Sequence, residues 1–315
     1  MTDTGKTTDN PHLKEGLGDV YSNYIVKFFD AYKNEDIDFW GLTAQNEPAG
    51  NTGAWQDLKF TAEQQRDFVK THLGPALKAS EHSQVKLMIM DDQRIHLPGW
   101  ANTILDDPDA APFVDGIAVH WYAATEDMTP SFLYFGKMSE THDRHPDYFI
   151  LATEACEGFL PWSQGPRIGD WGRAETYAHD IMGDLANWAV GWTDWNAFLD
   201  LSGGPNWAKN IVDAPILLDT EKTDTFYKNP MFYALAHFSA YVPHGSVRID
   251  TQSTSEHLWE ASMESLAFLT PEGKIVLVVL NRIFTKTEFS IENPKTGEWL
   301  NYEMPAHSMA TFLFD

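Results

Sequence analysis

Five apolar runs, most closing on polar residues, recur about every 30–45 residues along the first two-thirds of the chain, and they constrain its fold more than any other feature. They are FWGLTAQNEP (39–48), VKLMIMDDQR (85–94), VDGIAVHWY (114–122), YFILATEAC (148–156) and VGWTDWN (190–196). Between most of them lie segments of helical periodicity. One is TAEQQRDFVKTHLGPALKAS (61–80), with Thr61 placed to cap its N-terminus, and another is RAETYAHDIMGDLANWA (173–189). An earlier helix is expected over 20–35, with Tyr21, Ile25, Phe28, Phe29 and Tyr32 on one face. Continuously apolar strands alternating with amphipathic helices specify a parallel sheet buried on both sides.

The polar strand ends narrow the choice of α/β fold. They carry Asn46 and Glu47, then Asp91, Asp92 and Arg94, then His120 and Tyr122, then Glu154, then Asp194 and Asn196. A (β/α)8 barrel gathers its site from the C-terminal ends of many strands. A doubly wound sheet uses one switch point, and no glycine-rich phosphate fingerprint supports it here. With about five of eight strands, the expectation is the C-terminal part of a TIM barrel over residues 20–244, after a polar tail or loop at 1–19. Strands 39–48 and 190–196 would then be left with unpaired edges. Beyond residue 245 the pattern changes to short segments separated by turns: 247–250, 257–263, 265–269, 274–282, 288–291 and 307–314. These predict an antiparallel β-sandwich over 245–315, with 232–241 as the last barrel helix.

Charge and composition exclude several classes of function. A net charge of −24 opposes nucleic-acid binding, which depends on Lys and Arg meeting phosphates. The single cysteine, Cys156, excludes an internal disulfide and a multi-cysteine zinc site. No run is long and apolar enough to be a transmembrane segment, and the first residues lack the apolar core of a signal peptide. No Asn-x-Ser/Thr sequon occurs, which argues against secretory routing. The 12 Trp, 11 Tyr and 19 Phe suit either the flat faces of sugars or a large core.

Glu47 and Glu154 form the candidate catalytic pair. They stand 107 residues apart, three repeats of the pattern, so if the first ends strand four of a barrel the second ends strand seven, across the mouth. Glycoside hydrolysis needs such a pair, one carboxyl to protonate the leaving oxygen and one to attack or to activate water. Helix caps or surface charges would also place acids at strand ends. His120 and Tyr122, on the strand between, are placed to keep one carboxylate charged. His120 also reads as a core histidine. Asp91 and Asp92 read as a structural network with Arg94. His142 and His145, in HDRH, have the spacing of two metal ligands but no obvious third, so no metal is expected. Trp162, Trp171 and Trp207 would rim a substrate mouth or pack on the surface, and Cys156 reads as a small buried hydrophobe.

The motif Asn46-Glu47-Pro48 resembles the acid/base motif of retaining glycosidases built on this barrel. The longer strings FWGLTAQNEPAG, LMIMDDQR, GIAVHWY, TEAC, VGWTDWN, GGPNWAKNIVDAPI and DTFYKNPMFYALAHFS are similar to the acid β-glucosidase (glucosylceramidase) group of glycoside hydrolase family thirty, from about residue 18 to 315. The resemblance implies Glu47 as general acid/base and Glu154 as nucleophile, with net retention. It implies Asn46 on the sugar 2-hydroxyl, and His120, Tyr122, Trp195 and Asn210 around the glucose, with Arg94 near the mouth. The implied substrate is glucosylceramide, split to glucose and ceramide without cofactor or metal. A saposin-type activator, an anionic membrane surface and a lysosomal location follow from the same resemblance. Two further readings stand beside it: an inactive fragment that binds glycolipid or a partner, and a related retaining β-glucanase or xylanase.

Overall fold

A computed structural model describes the chain except for residues 52, 54, 123–133, 223, 253–262 and 294. It divides into two compact units, Met1–Ala155 with Asn187–Trp195, and Cys156–Ala186 with Asn196–Asp315.

In the first unit five strands pair in parallel in chain order: β1 (Gly41–Thr43), β2 (Lys86–Gln93), β3 (Gly116–His120), β4 (Phe149–Glu154) and β5 (Ala189–Trp192). Each falls within, or within a residue of, an apolar run of the sequence. Helices fill the crossovers: α1 (Gly18–Lys33) leads into the sheet, α2 (Ala62–Phe68) and α3 (Gly74–Ala79) join β1 to β2, α4 (Gly99–Leu105) lies between β2 and β3, and α5 (Phe135–Arg144) between β3 and β4. Leu87, Ile89, Ile117, Val119 and Ile150 of the strands form one buried cluster with Phe29, Phe68, Leu73, Trp100, Ile104 and Met138 of the helical layer.

The helix expected over 61–80 forms as one continuous run over 62–79, α2 and α3 joined through a π-helical turn. Thr61 caps α2 as anticipated, accepting from the Gln64 N–H at 3.2 Å, while the Gln64 side chain accepts from the Thr61 N–H at 2.9 Å. A π-helical turn over 69–73 follows, because Pro75 at the start of α3 has no N–H and its ring crowds the carbonyl four residues earlier. On α1, Phe29 is buried and Tyr21 and Ile25 pack on the core, but Phe28 and Tyr32 stay 41% and 39% exposed, so the apolar face is wider than the core that it meets.

The second unit contains α6 (Trp171–Ala186), a small sheet of β6 (Phe198–Asp200), β7 (Ile216–Leu218) and β8 (Phe226–Lys228), and α7 (Pro230–Ser239). Then come β9 (Val247–Ile249), β10 (Met263–Leu269) and β11 (Ile275–Asn281), the hairpin β12 (Thr287–Glu292) and β13 (Trp299–Met304), and β14 (Ser308–Phe314). The antiparallel sheet of order β14-β11-β10-β9 packs against the hairpin through Leu277, Val279, Phe312, Phe289 and Ile291. Of the segment expected at 257–263, all but its last residue lies outside the described residues. Strand β13 lies outside the expected segments although Leu300, Tyr302 and Met304 alternate with polar residues, and β6–β8 escape a sequence reading because each is three residues long.

Candidate active site

The C-terminal ends of β1 to β4 converge on one buried polar cluster, and an irregularity in β2 builds it. Met90 and Asp91 both take left-handed backbone angles, φ 67° and 65°, and the register with β3 slips between Met90 and Asp92. Such a bulge re-aims the side chains beyond it. Buried Gln65 of α2 satisfies the displaced backbone: its Oε1 accepts from the Met90 N–H at 2.9 Å and from Trp100 Nε1 at 2.8 Å, and its Nε2 donates to the Met90 carbonyl at 3.4 Å. The Asp91 carboxylate accepts from Thr43 Oγ1 at 2.5 Å and Thr153 Oγ1 at 2.6 Å, and pairs with His120 Nε2 at 3.0 Å. The next carboxylate, Asp92, turns elsewhere and accepts from the Ala49 N–H at 2.8 Å and the Gln93 N–H at 2.7 Å.

Glu47 is also left-handed, at φ 43°, and its N–H donates to the Asp91 carbonyl at 2.9 Å. Its Oε1 accepts from Gln93 Nε2 at 3.4 Å and lies 3.4 Å from His120 Nδ1, an ion-pair distance without hydrogen-bond alignment. Glu154 ends β4 and accepts from the Tyr122 hydroxyl at 3.0 Å. One oxygen each of Glu47 and Glu154 and one nitrogen of His120 lie within 4.8 Å of one another.

The electrostatics divide these groups. Burial pushes the Glu154 carboxyl up to about 7; the imidazole of His120 and the Tyr122 hydroxyl oppose the shift, and the Glu47 charge adds to it. Burial works against a charged His120, but its contacts with Asp91 and Glu47 and the field of Glu154 overcome this and hold it well above the usual imidazole range. Asp91 is held below the usual range: burial disfavours its charge, and the hydrogen bond and charge of His120 with the two threonine hydroxyls outweigh that. Burial raises Asp92.

The other residues singled out in the sequence are dispersed. Asn46 is exposed beside Glu47. Trp195 is 40% exposed, and its N–H donates to the Ala155 carbonyl at 2.8 Å just beyond Glu154. Arg94 is fully buried, with its guanidinium 4.8 Å above the Phe135 ring. Asn210 belongs to the second unit, where its N–H donates to Asn206 Oδ1 at 3.1 Å. His142 stacks on Trp188 at 3.7 Å while His145 pairs with Asn102 at 2.9 Å, so the two histidines take separate partners. Cys156 is buried, and Trp162 and Trp207 are exposed. Sequence reasoning missed Gln65, Gln93, Thr43 and Thr153. Only Gln65 left a signal, as a polar residue on the apolar face of its helix with Phe68 and Val69.

A parallel βα succession with a carboxylate pair at its strand ends now meets its relatives. The glycosyl hydrolase family 30 TIM-barrel domain matches residues 2–242, and the beta sandwich domain of the same family matches 245–312. The chain belongs to glycosyl hydrolase family 30. The lysosomal acid glucosylceramidase of Mus musculus is 43% identical over 98% of this family 30 chain and 59% of its own length. An endo-1,6-beta-D-glucanase of Aspergillus fumigatus is 24% identical over 95% of the chain and 56% of its own length. The chain thus spans a little over half of these relatives. Among solved structures, SrfJ from Salmonella typhimurium has the same fold, with a TM-score of 0.88 at 24% identity over 100% of this chain and 66% of that one.

Proposed function

We propose that this chain carries the catalytic pair of a retaining β-glucosidase acting on glucosylceramide, with Glu154 as nucleophile and Glu47 as general acid/base. The convergence of the two carboxylates, oxygens within 4.8 Å, carries this reading. Retaining enzymes hold the groups about 5–5.5 Å apart, whereas inverting enzymes need roughly 6.5–9.5 Å to admit a water. An oxygen of Glu154 attacks the anomeric carbon while Glu47 gives its proton to the departing ceramide oxygen. Glu47 then takes a proton from the water that displaces Glu154. The Tyr122 hydroxyl, donating to Glu154 Oε1, steadies the attacking carboxylate. Asn46 and Trp195 are assigned to the sugar. His120 and Arg94, both enclosed, are assigned to holding the rim from beneath.

The 43% identity to the mouse enzyme supports glucosylceramide over a glucan, and the name of that relative supports a lysosomal setting. An acidic compartment suits a chain of −24, whose carboxylates lose charge as the pH falls. A saposin-type activator and an anionic membrane surface rest on the resemblance alone. Among the described residues no helix is long and apolar enough to cross a membrane.

The raised Glu154 favours a second reading in which the roles are exchanged, because a general acid needs a raised pKa. Azide separates the two. With Glu154→Ala as the nucleophile variant, azide attacks an activated β-glucoside from the vacated side and yields the α-glucosyl azide. With Glu47→Ala, azide opens the covalent intermediate and yields the β-glucosyl azide. Interchanged products would exchange the assignments. An unaltered chain that turns over no β-glucoside would favour the glycolipid- or partner-binding alternative.

A further inference from the structure

We infer that Asp91 is a positioning residue which, through His120, keeps a positive charge between Glu47 and Glu154 and thereby sets how the pair shares its proton. The inference rests on the catalytic reading of that pair and adds a residue that does not touch substrate. Asp91 is buried, yet its carboxylate meets three donors on three strands: Thr43 of β1, His120 of β3 and Thr153 of β4. Two hydroxyls fix the carboxylate, so His120 Nε2 meets an acceptor whose place is already determined. An imidazole whose Nε2–H is donated to a carboxylate favours protonation at its other nitrogen. That nitrogen, Nδ1, lies 3.4 Å from Glu47. The carbonyl of the same aspartate accepts the Glu47 N–H, so one residue places both the histidine and the acid beside it.

Among the described residues, the groups facing His120 are Asp91 on β2, Glu47 after β1, Glu154 on β4 and the edge of the Tyr122 ring, 6.2 Å away. Three carboxyls around one imidazole make the cationic form favourable, and Asp91 is the one held by two hydroxyls besides the ring. The bulge falls at this aspartate, between Met90 and Asp92, and a bulge re-aims the side chains around it.

The test is Asp91→Asn in the full chain, with isotope-labelled histidine followed by NMR and the pH profile of kcat/KM measured on an activated β-glucoside. The His120 titration midpoint should fall by about 1–3 pH units, the range expected when an opposite charge in contact is removed. With the imidazolium discharged, Glu154 holds its proton to higher pH, so the limb of the activity profile that it sets should move up. Added to His120→Gln, Asp91→Asn should cause little further loss, since it acts through that ring. Thr153→Val, which removes one anchor of the carboxylate, should shift the midpoint in the same direction by less, and it decides the matter if Asp91→Asn does not fold. An unmoved midpoint in the folded variants, with activity lowered equally at every pH, overturns the inference. Wild-type chain without turnover, combined with a midpoint that still falls, would sink the catalytic reading and leave the Asp91–His120 coupling standing.

Discussion

The five-stranded sheet has two ends built to different rules. At the N-terminal ends the groups are ordinary and paired: Lys86 Nζ reaches Asp115 at 2.7 Å, the Leu87 N–H donates to the same carboxylate at 3.0 Å, and the Lys86 N–H donates to the Trp40 carbonyl at 2.9 Å. That ion pair is partly in solvent, with side chains 44% and 33% exposed. At the C-terminal ends Glu47, Met90 and Asp91 are all left-handed and non-glycine, and a histidine is enclosed among three carboxyls. Each such backbone conformation costs on the order of 1–3 kcal/mol and persists only where its surroundings over-determine it. Left-handed backbone is not confined to that end, since Trp188 just before β5 has φ 75°, but at the upper end it sets charged groups against one another.

Substitutions at the upper end should therefore change turnover and its pH dependence, and those at the lower end should change stability alone. The largest effect belongs to Glu154→Gln, with turnover of a β-glucoside falling on the order of 10⁴-fold or more. The same variant tests the electrostatics. With the folded carboxyl near 7 against an ordinary 4.5, the folded state holds the extra proton in that window, so stability rises as pH falls through 7 towards 4.5. His120, also raised, adds in the same direction as the pH falls through its own, higher value. Thermal unfolding should show Tm rising from about pH 8 to about pH 6 in the unaltered chain and rising less in Glu154→Gln. A profile equally steep in both would mean that this carboxyl is not the group responsible.

Next comes Glu47→Gln. Cleavage of glucosylceramide should drop by about 10²–10⁴-fold, whereas formation of the glycosyl-enzyme from an aryl glucoside with a good leaving group should fall far less. Equal losses would deny Glu47 the acid role. At the lower end, Gly116→Ala would set a methyl 2.4 Å from the Phe149 ring, which should destabilise by about 1–3 kcal/mol in denaturant titration without moving the pH profile. Smallest is Lys86→Met, where loss of a half-exposed ion pair should change stability by less than about 1 kcal/mol, and less still in high salt. A change in the pH optimum in either of the last two would break the separation between the ends.

Much of this organisation was legible in the sequence for physical reasons that can be named. A parallel strand buried on both sides must be apolar throughout, so LMIM and GIAV announce themselves. Thr61 with Gln64 carries the signature of a helix start, and Glu47 and Glu154 stand where strands end in polar residues. The rest depends on tertiary partners. Gln64 and Gln65 are chemically identical neighbours, yet one caps a helix at the surface and the other lies beneath the bulge. Asp91 and Asp92 are likewise indistinguishable as letters, and only the left-handed backbone assigns the first to His120 and the second to Ala49. The irregularity in the 61–80 helix could be placed near Pro75, but a proline does not by itself specify a π turn.

The irregular peptide pair at Met90 and Asp91 has a consequence for anyone seeking a hardier version of this chain. Straightening that stretch, by deleting a residue or by choosing letters that prefer an extended backbone, would relieve conformational tension and return the pleat to plain alternation. It would also rotate one aspartate away from its imidazole and break the seat of the glutamate beside it. Durability and reactivity are set against each other at a single step of the backbone, and sequence optimisation guided by folding alone would choose the wrong side.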